Sequence, residues 1–258
     1  MKVLILAGGF GTRLTEYTES IPKPMVEIGQ LPILMHIMKI YASYGHKDFY
    51  IALGYKGSVI KDYFLNYSKI NRDFSVNLKN GKILFIDPYQ NIPDWNVTLV
   101  DTGLESLTGK RIKLMEKYLS DDTFFLTYGD GLSNINIDLL LKFHKKHKKT
   151  LTITAVRPPA RFGELDIKDN EVVSFKEKPQ LHEGWINGGF FVAEPKIFDS
   201  ISNSNLMFER EPLSLLVEKS ELMAYKHNGF WQCMDTMRDK LLLDKLYSQG
   251  SPWQTSNN

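Results

Sequence analysis

A chain of 258 residues with a formal net charge of +2, from 32 Lys and Arg against 30 Asp and Glu, has no bulk electrostatic pull toward nucleic acid or a membrane surface. Hydrophobic residues at 43% can build a sizeable core, and the one cysteine, Cys233, excludes an internal disulfide, suits a reducing cytoplasm and reads as a packed small hydrophobe. No run approaches the roughly 20 apolar residues of a spanning helix, and the opening apolar run is shorter than a signal segment needs.

Residues 2–7 are apolar with β-branched members and read as a buried strand, followed by a loop holding Gly8, Gly9 and Gly11. Residues 32–44 have helical spacing: Pro32 suits a first turn, Ile33, Leu34, Ile37, Ile40, Tyr41 and Tyr44 share a face, and Gly45 can end it. Residues 49–53 read as the next strand and 59–67 as a second amphipathic helix. This alternation predicts an α/β fold, a Rossmann-like doubly wound mixed sheet flanked by helices. Residues 71–96, with Pro88 and Pro93, break the rhythm and read as an inserted β-hairpin region. Residues 96–102 look extended, 112–118 helical, and 123–127 a buried strand that ends in Tyr-Gly-Asp-Gly.

Residues 138–147 predict a helix whose His-Lys-Lys-His-Lys-Lys tail reads as a solvated end favoured by the helix dipole. His144 and His147 then lie on a wet face rather than forming a metal pair. Residues 151–156 read as a strand, two more strands flank Asp169-Asn170, and residues 190–193 form a late strand. Residues 211–219 and 236–247 read as helices, the second with Thr236 and Asp239 in capping-box spacing. Residues from 248 onward read as a loose tail.

The stretch LILAGGFGTRLTEYTESIPKPM carries the strongest chemical signal. Glycines at a strand end let backbone N–H groups approach a phosphate. A Walker loop fails, because no Gly-Lys-Ser/Thr follows Gly8 and Gly9 at the required distance. A dinucleotide fingerprint fails too, because counting from Gly9 and Gly11 puts Leu14 where the third glycine belongs. What remains is a glycine loop with Arg13, a planar fork, and Lys23, a point charge held between Pro22 and Pro24. The bland alternative is a tight turn with two surface cations.

The motif Leu-Ala-Gly-Gly-Phe-Gly-Thr-Arg-Leu followed by Pro-Lys-Pro-Met resembles the signature of the sugar-phosphate nucleotidyltransferases, or nucleotide-sugar pyrophosphorylases. The resemblance implies that Leu6, Ala7, Gly8, Gly9, Phe10, Gly11, Thr12, Arg13, Lys23 and Gly129 hold a nucleoside triphosphate, with Arg13, Lys23 and Asp130 as the catalytic residues. Direct displacement at phosphorus rests on positioning and charge neutralisation, so isolated aspartates should hold Mg²⁺ at loop positions. Asp130 qualifies, past a strand end with Gly129 and Gly131 beside it, and Asp235 is the second metal candidate. Read alone, Asp235 could instead cap the last helix, and one carboxylate could serve both roles.

Phe-Lys-Glu-Lys-Pro supplies Glu177 and Lys178, and Trp-Ile-Asn-Gly-Gly supplies Asn187 and Gly188. In the resembling family, matching positions contact the sugar and its phosphate. Longer matching stretches reach from the first residue to about Trp253 and point to the branch that joins CTP to glucose 1-phosphate. Ser106, Thr108 and Arg111 fall in a loop that contacts the nucleotide there. The Arg111 fork is suited to O2 and N3 of cytosine, so Arg111→Ala should raise the KM for CTP above all. The bland alternative is a surface loop that starts a helix.

The resemblance also implies one nucleotidyltransferase domain over residues 1–258. Residues 1–130 would be mainly nucleotide-binding, 131–248 mainly sugar-phosphate-binding, and 249–258 a tail. It implies a cytoplasmic homo-oligomer, a hexamer, that supplies dideoxyhexose and O-antigen polysaccharide synthesis, with no nucleic-acid or membrane partner. A UDP- or dTDP-sugar pyrophosphorylase, a non-catalytic nucleotide-sugar-binding protein and a dinucleotide-dependent dehydrogenase are the competing readings.

Overall fold

The computed structural model describes residues 1–86, 92–158, 164–168, 171–176 and 184–254. Among them the strands run β1 Lys2–Ala7, β2 Glu27–Ile28, β3 Leu31–Pro32, β4 Asp48–Leu53, β5 Phe74–Val76, β6 Ile83–Phe85, β7 Asn96–Asp101, β8 Phe124–Tyr128 and β9 Gly131–Ser133. They continue with β10 Leu151–Val156, β11 Glu164–Lys168, β12 Glu171–Lys176, β13 Ile186–Ala193, β14 Leu222–His227 and β15 Trp231–Cys233. The helices are α1 Thr15–Thr18, α2 Ile33–Ser43, α3 Gly57–Ile70, α4 Thr108–Leu114, α5 Glu116–Leu119, α6 Ile137–His147, α7 Glu211–Glu218 and α8 Met237–Ser248.

Seven strands form the central sheet in the order β14-β10-β13-β8-β1-β4-β7. β1 lies at its heart, parallel to β4 and β8, and every one of its residues from Val3 to Ala7 is buried. Alternation along the strand sends Val3, Ile5 and Ala7 into one core and Leu4 and Leu6 into the other. A strand covered on both faces therefore reads as an unbroken apolar run. The first core is closed by α2, where Ile33, Leu34, Ile37 and Tyr41 are fully buried, and each such side chain contributes about 1.5–3 kcal/mol. The second packs Ile112 and Met115 against Phe124, Leu126 and Phe191.

β13 runs antiparallel to both its neighbours, β8 and β10, which makes the sheet mixed. Its N-terminal end therefore lies beside the C-terminal ends of β1 and β8. With Phe190 paired to Thr127, residues Asn187 and Gly188 reach past Tyr128 to the edge where open α/β sheets bind ligands. The predicted inserted hairpin is β5–β6, and the predicted pair around Asp169-Asn170 is β11–β12, though those two residues lie outside the described ones.

Three expectations need correction. The predicted helix over 112–118 begins earlier, at Thr108, and is split into α4 and α5 at Met115. His144 is fully buried rather than wet: its ring bonds Thr152 Oγ1 at 2.8 Å and Glu194 Oε1 at 3.0 Å, while His147 reaches Thr152 Oγ1 at 2.7 Å. Burial lowers the pKa of both rings, as expected for imidazoles serving a core network. The chain after Ser248 is not a loose tail as far as Trp253, which is 1% exposed and donates its indole N–H to His36 Nδ1 at 3.3 Å. No helix among the described residues is long and apolar enough to cross a membrane.

Candidate active site

A cavity of about 540 Å³ opens where β1, β8 and β13 meet. Residues 6–13, Lys23, Ser106, Thr108, Arg111, Gly129, Asp130, Asn187, Gly188 and Asp235 all line it. Thus every sequence-predicted site residue that the structure describes faces one space. Glu177 and Lys178 lie outside the described residues.

The glycine loop leaves β1 and turns at Gly11, whose φ of +66° favours glycine. A Cβ there would fall 2.8 Å from Thr18 Cγ2. At Gly9 the backbone is ordinary and a Cβ would meet nothing within 4 Å. Protein packing thus gives no reason for glycine at position 9, and the space beside it belongs to the cavity.

Lys23 opens a single 3-10 turn, Lys23–Met25, with Pro22 extended before it and Pro24 buried after it. Gly129 packs beneath this turn, where a Cβ would lie 3.0 Å from Pro24 Cγ. The Lys23 ammonium donates to Asp130 Oδ2 and to Asp235 Oδ1, each at 2.6 Å. Arg13 Nη2 reaches the other oxygen of Asp235 at 3.1 Å. The two aspartates are far apart in sequence and are brought together by the β9–β15 ribbon, in which Gly131 pairs with Cys233 and Met234 N donates to Asp130 O. Burial works against the Lys23 charge, but Asp130 and Asp235 outweigh it and the lysine pKa rises. Burial likewise works against the Asp235 carboxylate, and Lys23 and Arg13 outweigh it, so its pKa falls.

Two carboxylate oxygens aimed at one cation are a suitable donor set for a hard divalent ion. Among the described residues no group of three or more His, Cys, Asp or Glu could hold a metal alone. The arrangement therefore suits an ion that completes its shell with water and ligand oxygens, as Mg²⁺ does. Asp235 does not cap the last helix: Thr236 and Asp239 form that capping box, and Asp239 also accepts from Asp235 N at 3.1 Å.

Residues 2–239 match the family described as nucleotidyl transferase. The chain belongs to the nucleotidyl transferase family. This nucleotidyl transferase is 51% identical over 257 residues to a glucose-1-phosphate cytidylyltransferase of Salmonella typhimurium, with 99% of each chain covered. It is 31% identical to a mannose-1-phosphate guanyltransferase of Saccharomyces cerevisiae, covering 96% of this chain and 64% of that protein. A solved UDP-glucose pyrophosphorylase with UDP-glucose superimposes at a TM-score of 0.69 and 18% identity, covering 96% of this chain and 98% of that one, which shows the shared fold.

In this nucleotidyl transferase the Arg111 fork does not present free terminal donors. Arg111 is 3% exposed, with Nη1 donating to Leu53 O, Thr102 Oγ1 and Gly103 O, and Nη2 to Gly8 O and Leu104 O. A Cβ on Gly8 or Gly54 would fall within 2.4 Å of the guanidinium. Arg111 thus pins the glycine loop to the 102–104 turn from below. The Ser106 hydroxyl donates to Thr102 O at 2.5 Å, and the Thr108 hydroxyl to Glu209 Oε2 at 2.6 Å.

Cys233 also lines the cavity, and burial with the Asp235 and Asp130 charges pushes its thiol up to about 12, so it is no nucleophile at neutral pH. Sequence reasoning missed Tyr128, Met207 and Trp231 on the cavity wall and Glu209 behind it. Tyr128 stands directly before the recognised Gly-Asp-Gly, which was the one available signal. Glu209 sits in an irregular segment with no periodicity to mark it.

Proposed function

We propose that this protein transfers the cytidylyl group of CTP to α-D-glucose 1-phosphate, releasing pyrophosphate and CDP-glucose. The observation that carries the reading is the convergence of Arg13, Lys23, Asp130 and Asp235 at the mouth of the glycine loop. The choice of base and sugar is supported by the 51% identity to the Salmonella typhimurium cytidylyltransferase over nearly the whole of both chains.

In this reading residues 1–130 mainly bind the nucleotide and residues 131–248 mainly the sugar phosphate. Backbone N–H groups of Gly8 to Gly11 cradle the triphosphate. A phosphate oxygen of glucose 1-phosphate attacks the α-phosphorus of CTP in line, and the bond to the pyrophosphate oxygen breaks. No protein nucleophile is needed. Arg13 and Lys23 neutralise charge where two anions meet, and Lys178 pairs with the sugar phosphate. Arg111, Ser106 and Thr108 hold the base-side loop, while Glu177, Asn187 and Gly188 hold the sugar. Asp130 and Asp235 would hold Mg²⁺, which when bound supplies further positive charge between the reactants.

The test is a panel of four nucleoside triphosphates with glucose 1-phosphate and Mg²⁺, scored for pyrophosphate. Turnover with CTP well above the others is expected, and turnover with UTP or dTTP but not CTP would overturn the base assignment. Gly9→Ala checks the cradle. Melting should shift by about 2 °C or less, because the new Cβ meets no protein atom, while the KM for CTP rises about tenfold or more.

We also propose a cytoplasmic homo-oligomer, a hexamer, whose product serves dideoxyhexose and O-antigen polysaccharide synthesis. The β5–β6 hairpin region and the second half of α3 are the faces for self-association: Leu65, Ile70, Leu84 and Ile86 are each at least 66% exposed, and exposed apolar side chains mark contact surfaces when they lie together. Leu84→Asp with Ile86→Asp should shift sedimentation to a smaller species. An unchanged profile would clear this face of a role in assembly.

A further inference from the structure

The two walls of the cavity are tied together by a carboxylate outside it. Tyr128, the last residue of β8, lines the cavity and donates its hydroxyl proton to Glu209 Oε1 at 2.6 Å. A carboxylate oxygen only accepts, so this bond sets the direction of the hydroxyl. A phenol keeps its proton at neutral pH, and here that proton is committed to the carboxylate. Asn187 Nδ2 donates to the same phenolic oxygen at 3.3 Å, leaving it one acceptor position. The ring itself depends on Gly189, where φ is +78° and a Cβ would fall 2.6 Å from Tyr128 Cδ2.

The other carboxylate oxygen, Glu209 Oε2, accepts from Thr108 Oγ1 at 2.6 Å, and Thr108 in turn accepts from Phe208 N at 2.9 Å. Glu209 cannot easily drift. The segment before it is fastened to the 105–110 loop: Leu107 N bonds Asn205 Oδ1 at 2.8 Å, Asn205 Nδ2 bonds Glu105 O at 3.0 Å, Gly109 N bonds Leu206 O at 3.0 Å, and Lys110 Nζ bonds Asn203 O at 2.7 Å. Glu209 is not a lining residue, so it acts on the cavity only through its partners.

We propose that Tyr128 is a sugar-specificity residue, a fixed hydrogen-bond acceptor for one hexose hydroxyl, and that Glu209 is the positioning residue that orients it and couples it to Thr108 on the nucleotide side. This rests on the reading of the cavity as a site for CTP and glucose 1-phosphate. An acceptor whose proton is already committed rewards a substrate hydroxyl that can donate and penalises an analogue that lacks it.

The experiment compares kcat/KM for glucose 1-phosphate and its 2-, 3-, 4- and 6-deoxy analogues, at saturating CTP and Mg²⁺, in wild type, Tyr128→Phe, Glu209→Ala and Glu209→Gln. Wild type should reject at least one analogue by about tenfold or more. In Tyr128→Phe that rejection should shrink to about threefold or less, with most of the change in the KM for glucose 1-phosphate rather than in kcat. Glu209→Ala should lose the same rejection, because the freed hydroxyl can turn and donate. Glu209→Gln keeps a carbonyl acceptor and should restore most of it.

Should Glu209→Ala fail to fold, Thr108→Val loosens the carboxylate from its other end and should weaken the same rejection. An active wild type whose Tyr128→Phe variant rejects every analogue as before would overturn the role of Tyr128 alone. Loss in Tyr128→Phe with none in Glu209→Ala or Thr108→Val would overturn the role of Glu209. A wild type that releases no pyrophosphate from CTP and glucose 1-phosphate would overturn the reading beneath both.

Discussion

Asp130→Asn is expected to lower kcat/KM about a thousandfold, which is roughly 4 kcal/mol of transition-state stabilisation. The substitution keeps shape and one acceptor oxygen but removes the charge that, with Asp235, faces Lys23. The backbone at this position is held independently of the carboxylate: Asp130 O accepts from Met234 N, and Gly129 N donates to Leu6 O. Lys23 also keeps its bond to Asp235, so melting should fall by a few degrees at most, and a thousandfold fall in rate reports chemistry rather than unfolding. Direct titration of the protein with Mn²⁺ should show weaker binding in parallel. An Asp130→Asn enzyme within tenfold of wild type at saturating Mg²⁺ would remove this carboxylate from the metal and from the reaction.

The parts of the fold that were legible in the sequence are those where one physical demand acts alone. β1 and β8 are covered on both faces, so Val3 to Ala7 and Phe124 to Leu126 form unbroken apolar runs that announce themselves. α2 buries one continuous stripe and shows helical spacing. β14 was missed because it is an edge strand: Leu222 to His227 alternate between half-buried and exposed, and Lys226 and His227 blur the pattern. His144 misled for a related reason. A histidine in a lysine-rich helix tail looks solvated, and nothing local reveals that Thr152 and Glu194, on other elements, will meet it.

The site divides in the same way. Arg13, Lys23 and Asp130 were readable because special residues cluster within short stretches. Arg111 was readable as important, but its partners were not, since all but one of its hydrogen bonds, that to Thr102 Oγ1, go to backbone carbonyls that any sequence could supply. Glu209 was invisible because its meaning lies wholly in two hydroxyls about 80 and 100 positions away, as the separations of 81 and 101 record.

Lys23→Met is expected to produce two changes of opposite sign. The rate constant for transfer should fall about a hundredfold or more, the usual cost of losing one charged donor to a developing anion. Binding of Mn²⁺ to the nucleotide-free protein should instead tighten, because the ammonium that Asp130 and Asp235 now share would be gone. A lysine cannot neutralise these carboxylates and contact phosphate with the same protons, so in this account it vacates them as metal and nucleotide arrive. The loss of the pair should also cost about 1–3 kcal/mol of stability, less than for a fully buried pair because Asp130 is 30% exposed, and millimolar Mn²⁺ should recover part of it.

The pH dependence of that stability difference follows from the directions of the shifts. Lys23 has a raised pKa, so its contribution is complete below the unfolded value near ~10.4 and is lost as pH rises through the folded value. Asp235 has a lowered pKa, so its contribution is complete above the unfolded value near ~3.9 and is lost as pH falls through the folded value. The difference in stability between wild type and Lys23→Met should accordingly form a plateau from about pH 5 to about pH 9 and close on the acid side. Thermal melts across that range, with and without Mn²⁺, measure it. If Mn²⁺ affinity is no tighter in Lys23→Met, the lysine does not compete for the carboxylates, and charge exchange at this point plays no part in how the enzyme takes up its substrates.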